Sequence, residues 1–119
     1  MKRVRFIEHK WRQILLLDFS YCSPDEALST MDEARKIIRT QPEGTLLILT
    51  DVTEGKYNMD VIDSLKEFTT GNKPYVRASA VVGLDGIKKS IYNMVVMFSK
   101  RRIPVFTNAM SAKEWLIAE

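Results

Sequence analysis

The chain has 119 residues, of which 45% are apolar and 28% charged, and its net charge is +3. That length suits one domain with one core, expected to span residues 1–119, and so mild a charge gives no electrostatic case for nucleic acid. Cys22 is the one cysteine, so no intramolecular disulfide can form, and a reducing cytoplasmic setting is the natural expectation.

The N-terminus, MKRVRFIEHKW, is basic but lacks the apolar stretch of a signal peptide. No apolar run approaches the ~20 residues that cross a bilayer, so no transmembrane segment is expected. The first two strands are predicted at residues 4–9 (VRFIEH) and 12–19 (RQILLLDF). They are near enough to form a hairpin around His9 to Trp11, although the turn has neither glycine nor asparagine.

A helix follows. Ser23-Pro24-Asp25-Glu26 supplies a capping residue, a proline at the first helical position and a glutamate three after the cap. Ala27, Met31, Ala34 and Ile38 repeat at helical spacing, and QPEG at 41–44 ends the pattern. The third strand, 45–52 (TLLILTDV), is apolar at every position of LLIL, as a strand covered on both faces would be. The second helix is predicted to begin at Asn58 or Asp60, with Val61, Ile62, Leu65 and Phe68 on its inner face and Gly71 as its stop. The fourth strand is placed at 76–83 (VRASAVVG), and Asp85 is the expected cap of a third helix reaching about Lys100. Its segment IYNMVVMFSKRR is apolar nearly all round. Ile87, Ile91, Val95 and Phe98 are assigned to the sheet, which leaves Tyr92, Val96 and Met97 to project elsewhere, either against a neighbouring helix or as a candidate apolar interface. A fifth strand at 104–108 (PVFTN) and a fourth helix opening on the capping box Ser111-Ala112-Lys113-Glu114 complete the chain.

The order β-β-α-β-α-β-α-β-α implies an α/β fold: a mixed, mostly parallel sheet of about five strands packed with four helices. That order, and above all the back half GNKPYVRASAVVGLDGIKKSIYNMVVMFSKRRIPVFTNAMSAKEWL, resembles the STAS domains of the SpoIIAA-like branch. The same superhelical fold carries the CRAL-TRIO lipid-binding domains, so fold leaves two kinds of ligand open. The resemblance implies a non-catalytic switch module. In its best-known members the loop after the third strand ends in Asp-Ser, and a partner kinase phosphorylates that serine. Here the loop reads Leu49-Thr50-Asp51-Val52-Thr53-Glu54-Gly55-Lys56-Tyr57-Asn58-Met59-Asp60. Asp60 stands about where the serine would be, and Ser64 follows an acid only one turn into the helix. The usual phosphoserine switch is therefore not expected, and a permanently acidic helix start replaces it.

Chemistry elsewhere is sparse. Asp51, Glu54, Asp60 and Asp63 cluster, but no nucleophile–base pair is recognisable beside them, and Asp60 and Asp63 suit the positive end of a helix. His9, the only histidine, reads as an exposed polar residue, and one His with one Cys cannot build a structural zinc site. Cys22 precedes a helix start, which could lower its pKa, though a structural thiol is the simpler reading. Gly83-Leu84-Asp85-Gly86 lacks the dinucleotide fingerprint and reads as a tight turn. Lys88, Lys89, Lys100, Arg101 and Arg102 flank the third helix; the last three suit its C-terminal dipole. No catalytic residue, metal or cofactor is expected. The candidate interaction loop and helix start comprise Asp51, Thr53, Tyr57, Asn58, Asp60 and Ser64. The partner is left open among a regulatory protein, a second copy of the chain, and a lipid or other small apolar ligand.

Overall fold

The structure, a computed structural model, describes residues 2–119. Its elements are β1 (Val4–His9), β2 (Arg12–Asp18), α1 (Pro24–Ile38), β3 (Leu46–Asp51), α2 (Met59–Asn72), β4 (Val76–Val82), α3 (Gly86–Ser99), β5 (Val105–Phe106) and α4 (Ala109–Ile117). The strands form one five-stranded sheet in the order β1-β2-β3-β4-β5. β1 pairs antiparallel with β2, from Val4 opposite Leu17 to His9 opposite Arg12, and the remaining pairings are parallel. The expected mixed, mostly parallel sheet with four helices is the one observed.

The β1–β2 hairpin closes in spite of its poor turn residues. Lys10 and Trp11 both take positive φ, 48° and 67°, as a two-residue hairpin of the right twist requires. Contacts from the turn to α4 hold it there: Lys10 Nζ lies 2.6 Å from Glu114 Oε1, and Arg12 donates to the Ile117 carbonyl at 2.7 Å.

Alternation along the strands sends two sets of side chains to two cores. On one face Leu15, Leu17, Leu46 and Ile48 meet Ala27, Met31, Ala34 and Ile38 of α1 and Val61 and Phe68 of α2. On the other, Ile14, Leu47, Leu49, Ala78 and Ala80 meet Ala112 and Leu116 of α4. Each large apolar side chain buried this way contributes about 1.5–3 kcal/mol. The uninterrupted LLIL run is explained: β3 is central and covered on both faces.

Three local expectations need correction. α2 does not stop at Gly71; it runs to Asn72 and tightens into a 3-10 turn over Lys73–Tyr75, where Pro74 forbids continuation. α4 starts earlier than the Ser111 capping box. Asn108 is its cap, accepting from the Ser111 amide at 2.8 Å. His9 is not exposed: its side chain is mostly buried, and Nε2 stands 3.6 Å from Glu114 Oε1, too far for a hydrogen bond. Cys22 is buried, as the simpler reading of a structural thiol has it, and burial pushes its pKa up. By contrast α1 opens on the predicted capping box, with Ser23 and Glu26 satisfying each other's amides.

Candidate functional site

The C-terminal ends of the parallel strands are where an α/β sheet opens towards a ligand. Here β2 and β3 end alike. Asp18 accepts from the Ser20 amide at 2.9 Å and hydroxyl at 2.5 Å. Asp51, its register partner on β3, accepts from the Thr53 amide at 3.0 Å and hydroxyl at 2.6 Å. Each carboxylate thus closes an Asx turn on its own chain. Main-chain bonds then extend the ladder past the strands, from Phe19 to the Asp51 carbonyl, from Tyr21 to the Thr53 carbonyl and from Val52 to the Val82 carbonyl. Asp51 and Thr53, two of the expected interaction residues, are therefore half-buried members of a turn.

Gly83 locks this turn against the start of α3. Its φ is +87°, and a Cβ there would lie 2.3 Å from Thr53 Oγ1 and 2.5 Å from the Thr53 nitrogen. Only glycine permits that approach. Beyond the turn the chain folds inward, and Tyr57 is half-buried with its hydroxyl finding no protein partner. Asn58 caps α2 by accepting from the Val61 amide at 3.0 Å. Asp60 is exposed in the first turn of α2, and Ser64 is half-buried. Of the six residues proposed for the loop and helix start, only Asn58 and Asp60 are exposed to a large partner.

Behind Tyr57 lies a cavity of about 100 Å³ between the sheet and the pair α2–α3. Its walls are mostly apolar: Phe19, Val52 and Val81 from the strand ends, Leu65 and Phe68 from α2, and Ile91, Val95 and Val96 from α3. Thr50, Tyr57, Thr69, Lys88 and Tyr92 are the polar residues of its lining. Lys88 is only 5% exposed. Its Nζ lies 3.0 Å from Asp85 Oδ2, while Asp85 Oδ1 accepts from the Ile87 and Lys88 amides as the cap of α3. The Lys88 amide and then its ammonium hold the Asp85 carboxyl below the usual carboxylate range. Burial drives the Tyr57 phenol well above the ordinary tyrosine range, with the Cys22, Asp51 and Asp85 charges adding to the shift. Tyr92 donates its hydroxyl to the Ile103 carbonyl, which ties α3 to the β5 approach. Arg101 reaches across from the end of α3 to the Thr69 carbonyl (3.1 Å) and Ser79 Oγ (2.9 Å); it is a structural tie as much as a dipole partner.

The orientation of α3 differs from the expected one. Lys88, Val95 and Ser99 are its buried residues, with Ile91, Tyr92 and Val96 beside them. Ile87 (83% exposed) and Phe98 (56%), assigned to the sheet, face outward. Tyr92 and Val96, assigned to an outer interface, line the cavity. Of that trio only Met97 projects, and it is 79% exposed. The helix is turned by about one residue because its apolar residues span most of its circumference and cannot fix its rotation. Ser99 bonding back to the Val95 carbonyl at 2.8 Å lets a polar residue occupy the inner face.

Among known structures, an uncharacterized protein of the DUF3478 family from Shewanella loihica, described as having a SpoIIAA-like fold, superposes with a TM-score of 0.73 over 95% of this chain and 91% of its own. The fold is SpoIIAA-like. Sequence identity between the two is 10%, so the likeness concerns the SpoIIAA-like backbone alone. No family model matches the sequence, and no curated protein does.

Lys88 and the inward turn of Tyr57 escaped the sequence reading. One signal was there: Lys88 stands three residues after the cap Asp85, the spacing at which the two side chains meet on a helix. Among the described residues no group of three or more His, Cys, Asp or Glu is arranged to hold a metal, and no helix is long and apolar enough to cross a membrane.

Proposed function

We propose that the chain is a non-catalytic binding module of the STAS type, which recognises a regulatory protein through the outer face of α3 and the adjoining start of α2. The observation that carries this reading is the run of apolar side chains in water on one helix: Ile87, Met94, Met97 and Phe98. Met59, at the start of α2, is exposed as well. Large apolar side chains left in water on one helix suit an interaction site, and methionine adapts to varied partners. With Asp60 at the helix start in place of a phosphorylatable serine, recognition needs no covalent switch.

The test is affinity capture followed by reconstitution. A partner recovered from native extract, then purified, should bind the intact chain and lose at least tenfold in affinity to Met97→Glu and to Phe98→Glu, about the weight of one lost interface anchor. A reconstituted partner indifferent to both substitutions would refute the assignment, as would a strictly monomeric chain that captures nothing.

A second reading is favoured by the cavity. An apolar pocket at the ends of parallel strands has the form and place of a small-molecule site. Its volume of about 100 Å³ is too small to enclose a lipid tail, since an apolar cavity of ~150 Å³ holds one benzene. The ligand class that suits it is a small apolar molecule.

A further inference from the structure

We propose that the partner meeting the outer face of α3 is acidic: an amphipathic helix of another protein, its apolar stripe laid along Ile87, Met94 and Met97 and its carboxylates facing Lys89, Lys100 and Arg102. This rests on the protein-binding reading of that face and adds the shape and charge of what binds there. Charge is divided unevenly along the chain. The 28 residues between Asp85 and Glu114 hold six Lys and Arg and no Asp or Glu, whereas the rest of the chain holds 12 basic residues against 15 acidic ones. A protein of net charge +3 thus gathers six positive charges on α3 and the segment after it. Two of the six are committed within the fold: Lys88 to Asp85 at 3.0 Å, and Arg101 to the Thr69 carbonyl and Ser79 Oγ. Lys89, Lys100 and Arg102 are exposed. Among the described residues none of these three is in an ion pair.

Helical spacing sets the cations beside the apolar stripe. Lys89, Asn93 and Met97 follow one another at four-residue steps and share one row of α3, and Lys100, the C-cap, stands just beyond it. Ile87 and Met94, seven apart, and Phe98, four further on, form the neighbouring row. An apolar seam bordered by a basic row is what one helix offers to another whose own border is acidic. A bilayer fits this surface less well. On the other side of the stripe Lys66 stands over the Phe98 ring at 5.6 Å, and Asp63 precedes Lys66 by one turn on the same side of α2. Asp60, Asp63 and Glu67 are all exposed. A flat anionic surface pressed on the stripe would meet those carboxylates together with the lysines, and like charges repel. A protein helix can carry its acids along the one edge that faces α3.

The test uses the full chain, isotopically labelled, and a short alanine-based helical peptide in three forms: a leucine stripe flanked by glutamates, and the same peptide with glutamine or with lysine in their place. The glutamate form should shift the backbone resonances of Lys89, Met94, Met97 and Lys100. It should bind about fivefold or more tightly than the glutamine form, the combined weight of a few exposed charge pairs, and the lysine form should bind most weakly. Salt at about 1 M, which screens charges beyond ~3 Å, should bring the glutamate and glutamine forms to like affinity. The combined substitution Lys89→Gln, Lys100→Gln and Arg102→Gln, all at exposed positions, should remove the preference for glutamate while leaving the thermal midpoint and the binding of the glutamine form unchanged. Equal binding of the glutamate and glutamine forms by the intact chain would overturn the acidic-partner assignment and leave the protein-binding reading standing. Binding of no form at millimolar peptide would overturn both. Phosphatidylglycerol vesicles complete the test: vesicles that hold the chain through the same three cations, where the peptides do not bind, would overturn the proposal in favour of a lipid surface.

Discussion

Gly83→Ala is the substitution on which the geometry of the strand-end turn makes its sharpest prediction. Two costs meet at this position. At φ +87° an L side chain is strained, which costs roughly 1–2 kcal/mol. The new methyl would also lie 2.3–2.8 Å from Thr53 Oγ1, N and Cα. Two of those atoms are backbone, so no rotamer change relieves the clash, and the turn held by Asp51 must shift. Overpacking of that kind costs about 1–3 kcal/mol. The sum, about 2–5 kcal/mol, is a large share of a typical 5–15 kcal/mol stability. Two other glycines separate the terms. Gly44 shares a positive φ of 70° but has nothing within 4 Å of its would-be Cβ, so Gly44→Ala isolates the conformational cost. Gly86 has neither a positive φ nor a near neighbour; as the first residue of α3 it should tolerate alanine or gain up to about 1 kcal/mol. Urea unfolding followed by far-ultraviolet circular dichroism measures all three. With m of about 1–3 kcal/mol/M, Gly83→Ala should lower the midpoint by roughly 1–2 M, Gly44→Ala by roughly half of that, and Gly86→Ala not at all. A Gly83→Ala midpoint equal to that of Gly44→Ala would show that the Thr53 turn yields freely, and the locked loop described here would be wrong.

Three further outcomes follow from the burial pattern. Tyr57→Phe removes an orphaned buried hydroxyl and should stabilise the protein by about 1 kcal/mol at neutral pH. The folded phenol titrates above the unfolded one, so above pH ~10 the unfolded chain loses its proton first and stability falls as pH rises. The substitution should flatten that alkaline loss, and denaturant titrations at neutral and alkaline pH check both effects; destabilisation at neutral pH would mean that the hydroxyl has a partner. Cys22 is buried with its thiol pKa pushed up, so a disulfide reagent should modify it only as fast as the chain unfolds; rapid modification in native buffer would contradict the burial. Leu116→Ala removes a fully buried side chain of α4, the helix that covers the second face of the sheet. It should cost about 2–5 kcal/mol and lower the thermal midpoint by roughly 10 °C, and a shift of only a degree or two would show that α4 packs loosely.

The elements that announced themselves in the sequence are those set by local chemistry. Ser23, Pro24 and Glu26 fix the start of α1 whatever the rest of the chain does, since their bonds run within one turn. LLIL is readable because a doubly covered strand has no polar side to show. What stayed hidden depends on residues far apart in the chain. The rotation of α3 is decided by its fit against α2 and the sheet, and a helix with apolar residues at Ile87, Ile91, Met94, Val95, Val96, Met97 and Phe98 offers several faces of nearly equal merit. Tyr57 turns inward because Gly55 lets its ring lie close: a Cβ on Gly55 would stand 3.1 Å from the Tyr57 hydroxyl oxygen and 3.0 Å from the Phe19 carbonyl oxygen. Nothing in the string TEGKYN distinguishes that from an outward tyrosine. The cavity is the least legible feature, because it is the space left over once the elements have packed.

The distribution of polar groups about that space bears on what the strand ends can do. Asp18 and Asp51 are the carboxylates nearest in kind to acid–base catalysts, and both spend an oxygen on the amide and hydroxyl two residues further on. A carboxylate that accepts such bonds is held in one orientation on its own chain, which suits a turn more than a proton shuttle. Tyr57 is in the opposite condition. Its hydroxyl is buried with no partner in the protein, and a group in that state lowers stability. Lys88 differs from both: its ammonium is buried but meets Asp85 Oδ2 at 3.0 Å, so it fastens the first turn of α3. A fold selected for stability alone would put phenylalanine at position 57. The stability of Tyr57→Phe therefore decides what the hydroxyl is: a gain marks it as a cost carried by the fold, and a loss would show that a partner such as a bound water satisfies it.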